Sequence, residues 1–237
     1  MIIIFYVFVA LIGITALFVS ILGTIQSRIR SYWLLIVFYG GFTLLILLSF
    51  FREYITVNTD SMTLSRAIAF ELINSGVTTT FMTAIAVYYS RLLLPRANIK
   101  LDIAIIIFNV IAFILFSFPG TIVVDLKQGL ARFTLPANIS LVMYLAVFVY
   151  LAILGLAGSK KDRSAREQVL IWSLFVFILV GLTENSFSVI SQLRNPEVDL
   201  FPASYHFIFS SLPYLFFGFV LIYYFGSYLL VSRETQT

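Results

Sequence analysis

Apolar residues run along this chain in long uninterrupted blocks rather than in alternation, beginning with Ile2–Gly23. A block of about 20 apolar residues is what a helix needs to cross the ~30 Å hydrocarbon layer of a bilayer. A membrane-spanning barrel requires segments of about 10 residues with alternating polarity, a pattern absent here. Charged or proline-containing breaks divide the chain into seven predicted helices, at 2–23, 32–51, 67–94, 101–118, 137–157, 168–193 and 203–231. Backbone groups left unpaired in lipid are costly, so such spans must form helices. The expected fold class is all-α, a polytopic seven-transmembrane-helix bundle forming one domain over residues 1–237, with no soluble domain.

Composition sharpens this picture. The chain is 61% hydrophobic and 11% charged, where soluble proteins carry about 25% charged residues. Its net charge of +4 is unevenly placed. The breaks after helices one, three and five, with the tail, hold ten of the fifteen basic residues: Arg28, Arg30, Arg91, Arg96, Lys100, Lys160, Lys161, Arg163, Arg166 and Arg233. The opposite side holds Arg52, Arg66, Lys127, Arg132 and Arg194, offset by Glu53, Asp60, Asp125, Glu197 and Asp199. Lys and Arg bias short loops to the cytoplasm, which predicts the N-terminus outside and the C-terminus inside. The basic charge thus reads as an orientation signal facing the lipid bilayer, and direct nucleic-acid binding is not expected. No basic residue precedes Arg28, and the first apolar run exceeds the core of a signal peptide, so a retained first helix is expected.

Two patterns lie between the spans. The segment "PGTIVVDLKQGLARFTLP" (119–136) has β-branched runs flanking "KQG". It fits a short hairpin, an amphipathic interfacial piece or an ordinary long loop. An offset of 135 residues pairs Ser75 with Ser210, Phe81 with Phe216 and Tyr88–Tyr89 with Tyr223–Tyr224. Such an offset fits a three-plus-one-plus-three repeat, and the tyrosine pairs equally fit helices ending in an interfacial aromatic belt.

Ionisable groups inside the spans carry the functional reading. Glu71, Glu184 and His206 lie on helices three, six and seven. With a rise of ~1.5 Å per residue, all three fall near the same outer level of the membrane. Each has polar companions on its own face. Glu71 is followed by Asn74, Ser75 and Thr78, Glu184 by Ser188, and His206 by Ser210, with Pro213 one turn further. Polar stripes turn inward, away from lipid, so an outward-facing ligand pocket of Glu71, Asn74, Glu184, Ser188, His206 and Ser210 is predicted. The competing reading is structural: the carboxylates pair with His206, Arg52 or Arg66 at the rim. Asn109, nearer mid-membrane in helix four, reads as an interhelical hydrogen bond.

Much chemistry is excluded. There is one histidine and no cysteine, too few ligands for a histidine-rich zinc site, bis-histidine haem or thiolate metal centres. No nucleophile elbow or phosphate-binding loop is present. The predicted seventh helix contains no lysine for a retinal Schiff base. No catalytic residue, no metal site and no cofactor is expected, and the chain reads as a non-enzyme. Sugar-carrying seven-helix transporters resemble it in topology, but their hinge prolines in helices one, two, five and six are absent.

The span layout, the aromatic last helix "PYLFFGFVLIYYFGSYLL" (213–230) and the basic exit "VSRE" (231–234) resemble a family of bacterial membrane sensor modules. These are the seven-helix modules fused to LuxR-type helix-turn-helix or histidine kinase effectors. The resemblance implies a multi-pass protein of the bacterial plasma membrane acting in signal transduction. Because Thr237 follows closely, a cytoplasmic effector protein is expected as a separate partner or outside these residues. The expectation is a receptor-like sensor in which a small ligand, cation or proton enters the outer pocket. Helices six and seven would then shift about Pro213 and signal through cytoplasmic ends such as "SKKDRSARE" (159–167). Two rival expectations are a small transporter or channel using the carboxylates, and a structural subunit of a membrane complex.

Overall fold

The structure, a computed structural model, describes residues 2–27, 32–58, 64–94, 98–125, 130–158, 165–194, 197–199, 212 and 214–223. Among these residues the chain forms α1 (Ile2–Ser27), α2 (Trp33–Asn58), α3 (Leu64–Leu93), α4 (Ile99–Ser117), α5 (Leu135–Gly158), α6 (Ala165–Arg194) and α7 (Tyr214–Tyr223). Helices α1 to α5 are each long and apolar enough to cross a membrane, and α6 carries the apolar stretch Gln168–Thr183. The chain is a helical multi-pass membrane protein. Several helices outrun their apolar blocks: α2 continues to Asn58 and α3 begins at Leu64. Leaving the hydrocarbon does not end a helix, because its hydrogen bonds are internal and most charged residues are good helix formers.

Consecutive helices pack as neighbours from α1 through α6, and α3 additionally touches α5 and α6. Helix α7 closes the arrangement, since a Cβ built on Gly218 would stand 3.1 Å from Ile12 of α1 and 3.6 Å from the Tyr39 hydroxyl of α2. Helix α4 shows how sequence directs this packing. Asn98 caps it, accepting from the Leu101 amide at 3.3 Å, and so satisfies an otherwise unpaired donor of the first turn. Its buried residues are Asp102, Ile105, Asn109, Ala112 and Phe116, at the three-to-four spacing of one helical face. Ile103, Ile106, Ile107, Val110, Ile111 and Ile114 are exposed on the other side. Polar residues turned inward and isoleucines outward is the pattern that lipid imposes.

After α4, Pro119 and Gly120 (φ +77°) make a turn that a side chain would strain. The 119–136 segment then forms the hairpin that its β-branched runs fit: β1 (Ile122–Asp125) pairs antiparallel with β2 (Leu130–Phe133). A third strand, β3 (Glu197–Asp199), adds to β2 and sets Arg132 opposite Glu197. The chain is therefore not purely helical. Extended backbone persists here because a three-stranded sheet pairs within itself the groups that lie between helix ends. Beneath the hairpin, Phe116, Ile122 and Ala137 form a buried cluster with Leu72 and Phe133 packed against it, which seats the sheet on α3, α4 and α5.

A block of aromatic rings fills the space between α2, α3, α6 and α7. Phe38 lies 5.6 Å from Phe81, 5.5 Å from Phe177 and 5.8 Å from Phe217, all edge-on. Tyr214 stacks on Phe42 at 4.3 Å with 5° between the planes and meets Phe177 edge-on at 4.9 Å. Such pairs contribute about 0.5–1.5 kcal/mol each beyond area burial. The sequence offset that matches helix three to helix seven does not match environments: Phe81 and Tyr88 are buried, whereas Phe216 and Tyr223 are exposed.

The adjacent glycines of α2 supply a test of this packing. A Cβ on Gly41 would lie 2.7 Å from Phe81 Cβ, an atom fixed to the α3 backbone, whereas one on Gly40 meets nothing closer than 3.9 Å. Gly40→Ala is expected to be neutral or stabilising by up to ~1 kcal/mol, from helix propensity alone. Gly41→Ala should destabilise by about 1–3 kcal/mol through overpacking. Unfolding of the two variants in one detergent measures the contrast, and equal stability would contradict the close α2–α3 contact.

Candidate functional site

The polar stripe of α3 is the natural starting point. Glu71, Asn74, Ser75 and Thr78 are all half-buried, on the helix that touches α2, α4, α5 and α6. Glu71 stands beside Leu72, which packs under the hairpin, so it lies at the sheet end of the bundle. It engages neighbouring groups there. Glu184 and Ser188 fall within α6, but their side chains lie outside the described residues, as do His206, Ser210 and Pro213 altogether. The meeting of Glu71, Glu184 and His206 is therefore neither observed nor contradicted.

One turn further along α3 the stripe meets a partner that sequence reading passed over. The Thr79 hydroxyl donates to the Ser75 carbonyl at 2.7 Å and lies 2.5 Å from the Tyr144 phenol oxygen of α5. Ser75, and Ser140 one turn earlier on α5, also lie near enough to act on this phenol. Ser140 Oγ itself, fully buried, meets no partner at hydrogen-bonding geometry. Tyr144 escaped notice because a tyrosine in an apolar run reads as packing, and nothing in one sequence marks its hydroxyl as paired to α3.

Asn109 stands on the inner face of α4, 2% exposed, and its Nδ2 has no partner. The expected interhelical hydrogen bond is thus not made by that amide nitrogen. It lines a small enclosed cavity shared with Met82, Tyr144, Phe148 and Ile178, offering about 20 Å³ to the centre of a water-sized sphere. A second cleft, of about 650 Å³, opens outward between α2 and α3 along Gly40, Gly41, Leu44, Ile73 and Gly76. Thr80 is the polar side chain in that lining and already donates to the Gly76 carbonyl at 2.8 Å. The cleft offers nothing to an ion or proton.

The far end of α3 holds an ion pair also missing from the sequence reading. Arg91 reaches Asp102 Oδ2 through both Nε and Nη2, each at 2.8 Å, while Asp102 Oδ1 is buried without a partner. The two residues sit in the last turn of α3 and the first turn of α4, where the helix dipoles favour a cation and an anion respectively. The signal was available in principle: two helices joined by a short break bring the charges at their ends together. No group of three or more metal-ligating side chains occurs among the described residues.

The Arg91–Asp102 pair yields a stability prediction. Removing the arginine strands a carboxylate whose side chain is 6% exposed. Arg91→Leu should therefore cost about 3 kcal/mol, as breaking a buried pair does. Arg91→Leu combined with Asp102→Leu should cost less than the single change, because no charge is then left buried. Equilibrium unfolding of both in the same detergent tests this, and a single variant as stable as wild type would show the pair contributes nothing.

No protein-family model, no curated protein and no solved structure matches this chain, so its function has to be argued from its own geometry.

Proposed function

We propose that the protein is a receptor-like membrane sensor, in which a small ligand, cation or proton acts at the sheet end of the bundle and biases the packing of α6 and α7. The observation that carries this reading is the seating of α3. It bears the half-buried Glu71 and Asn74 near the sheet, and its Phe81 meets the ring of Tyr214 on α7 at 5.8 Å. A change at the carboxylate level thus has a packed route to the helix whose C-terminal extension would face a partner. In this reading Glu71, Asn74, Glu184, Ser188, His206 and Ser210 form the ligand pocket, and Pro213 is the hinge. Proline removes a backbone hydrogen bond and kinks a helix. The N-terminus is outside and the C-terminus inside, in keeping with ten of fifteen basic residues at one end. The cytoplasmic ends then act on an effector protein in a bacterial plasma membrane.

The aromatic block favours sensing over transport. Phe38, Phe81, Phe177, Tyr214 and Phe217 pack edge-on and stacked across the bundle, so a solute path along the axis would require these rings to part. Signalling needs only that the ligand bind one helix arrangement better than another.

The test uses protein reconstituted in lipid vesicles, with acidification from about pH 7 to pH 4, the range of imidazole and carboxylate titration, and sodium as the cation. Expected is a reversible change in tyrosine and tryptophan fluorescence that Glu71→Gln and Glu184→Gln each abolish, with no ion flux. Flux that Glu184→Gln abolishes would replace the sensor with a transporter. An unchanged response in both variants would leave the carboxylates as structural groups.

A further inference from the structure

Two polar side chains from different helices, Asn109 of α4 and Tyr144 of α5, line one small cavity. The Thr79 hydroxyl lies 2.7 Å from the Ser75 carbonyl and 2.5 Å from the Tyr144 phenol oxygen, and in the second contact either hydroxyl can be the donor. A phenol both donates one proton and accepts through its lone pairs. Across the cavity the Asn109 amide brings N–H donors, 2% exposed and unpartnered. A buried amide left unpaired is costly.

We propose that Asn109 and Tyr144 together hold one buried water molecule, which accepts from the Asn109 amide and hydrogen-bonds to the Tyr144 hydroxyl. The space fits that occupant. A water needs about 10–15 Å³ of such volume and two to four polar partners, and the cavity offers about 20 Å³. Met82, whose Sδ accepts from the Tyr214 hydroxyl of α7 at 3.9 Å, lines the same cavity. No carboxylate lines it, so a cation would lack compensation there. The rest of the wall is apolar. Water both donates and accepts, so it serves either orientation of the amide.

The consequence is a continuous polar link through the middle of the bundle. It runs from Asn109 on α4 through the water to Tyr144 on α5, and through Thr79 to the Ser75 carbonyl on α3. This site is separate from the Glu71 pocket and stands without the sensor reading.

The full chain, uniformly labelled with carbon-13 and nitrogen-15 in lipid bilayers, permits a direct test by magic-angle-spinning NMR. Magnetisation transferred from water is followed to the Asn109 side-chain amide, assigned through its own Cβ. Expected is transfer as rapid as that to the exposed amide of Asn98. In Tyr144→Phe, which keeps the ring and removes the hydroxyl, it should slow severalfold. A wild-type Asn109 amide reached only as slowly as the buried Leu151 would overturn the proposal, and that result needs no variant to fold. Rapid transfer persisting in a folded Tyr144→Phe protein would overturn the bridge.

Discussion

A bilayer interior offers no hydrogen bonds, so polar side chains in this chain turn to their own helix backbone, to the other helices or to the membrane rim. That constraint orders the bundle around α3. At one end Arg91 of α3 clasps Asp102 of α4 at 2.8 Å. At its middle Thr79 meets Tyr144 of α5, and towards the other end Glu71 lies beside the residue that supports the sheet. Helix α4 answers the same constraint by rotation. Asp102 and Asn109 share its buried stripe, and its isoleucines face outward. Burying an ion pair is a weak source of net stability, but leaving either partner alone is costly. The clasp therefore fixes how α3 and α4 are turned more than it holds the fold together.

Cohesion comes from elsewhere. Lipid tails are as apolar as leucine, so helices in a membrane gain little from hiding hydrophobic surface and depend on close packing. Two devices provide it. Glycines at Gly41, Gly155 and Gly181 lie where a Cβ would overlap side chains of the facing helix. The rings of Phe38, Phe42, Phe81, Phe177, Tyr214 and Phe217 interlock in edge-on and stacked pairs. The second device holds α7: Tyr214 by itself touches rings from α2, α3 and α6.

The spans were legible in the sequence because lipid enforces a one-dimensional signal, twenty apolar residues in a row. The hairpin was legible as one of three readings of 119–136, through its β-branched runs and turn glycines. Strand β3 was not, since Glu197–Asp199 is too short to carry a period and gains its form only by pairing with β2. Glu71 and Asn74 stood out because charge and amides are rare in spans. Tyr144, Thr79 and Ser140 did not, because hydroxyls are common in membrane helices and their pairing depends on which faces meet. Arg91 and Asp102 were obscured by position. At the ends of helices charges are unremarkable, and their burial reflects the rotation of α4 rather than any local pattern.

The distribution of unsatisfied groups adds a last step. Tyr39 Oη, Thr43 Oγ1, Asn109 Nδ2 and Ser140 Oγ are all buried without partners, and they come from α2, α4 and α5 rather than from one flaw in packing. Native interiors leave few such groups, each at a cost, and each asks for a cause. At the end of α3 the Arg91–Asp102 clasp likewise leaves Asp102 Oδ1 buried without a partner. Small rotations of α4 or α5, or a bound water, satisfy what the static packing leaves open.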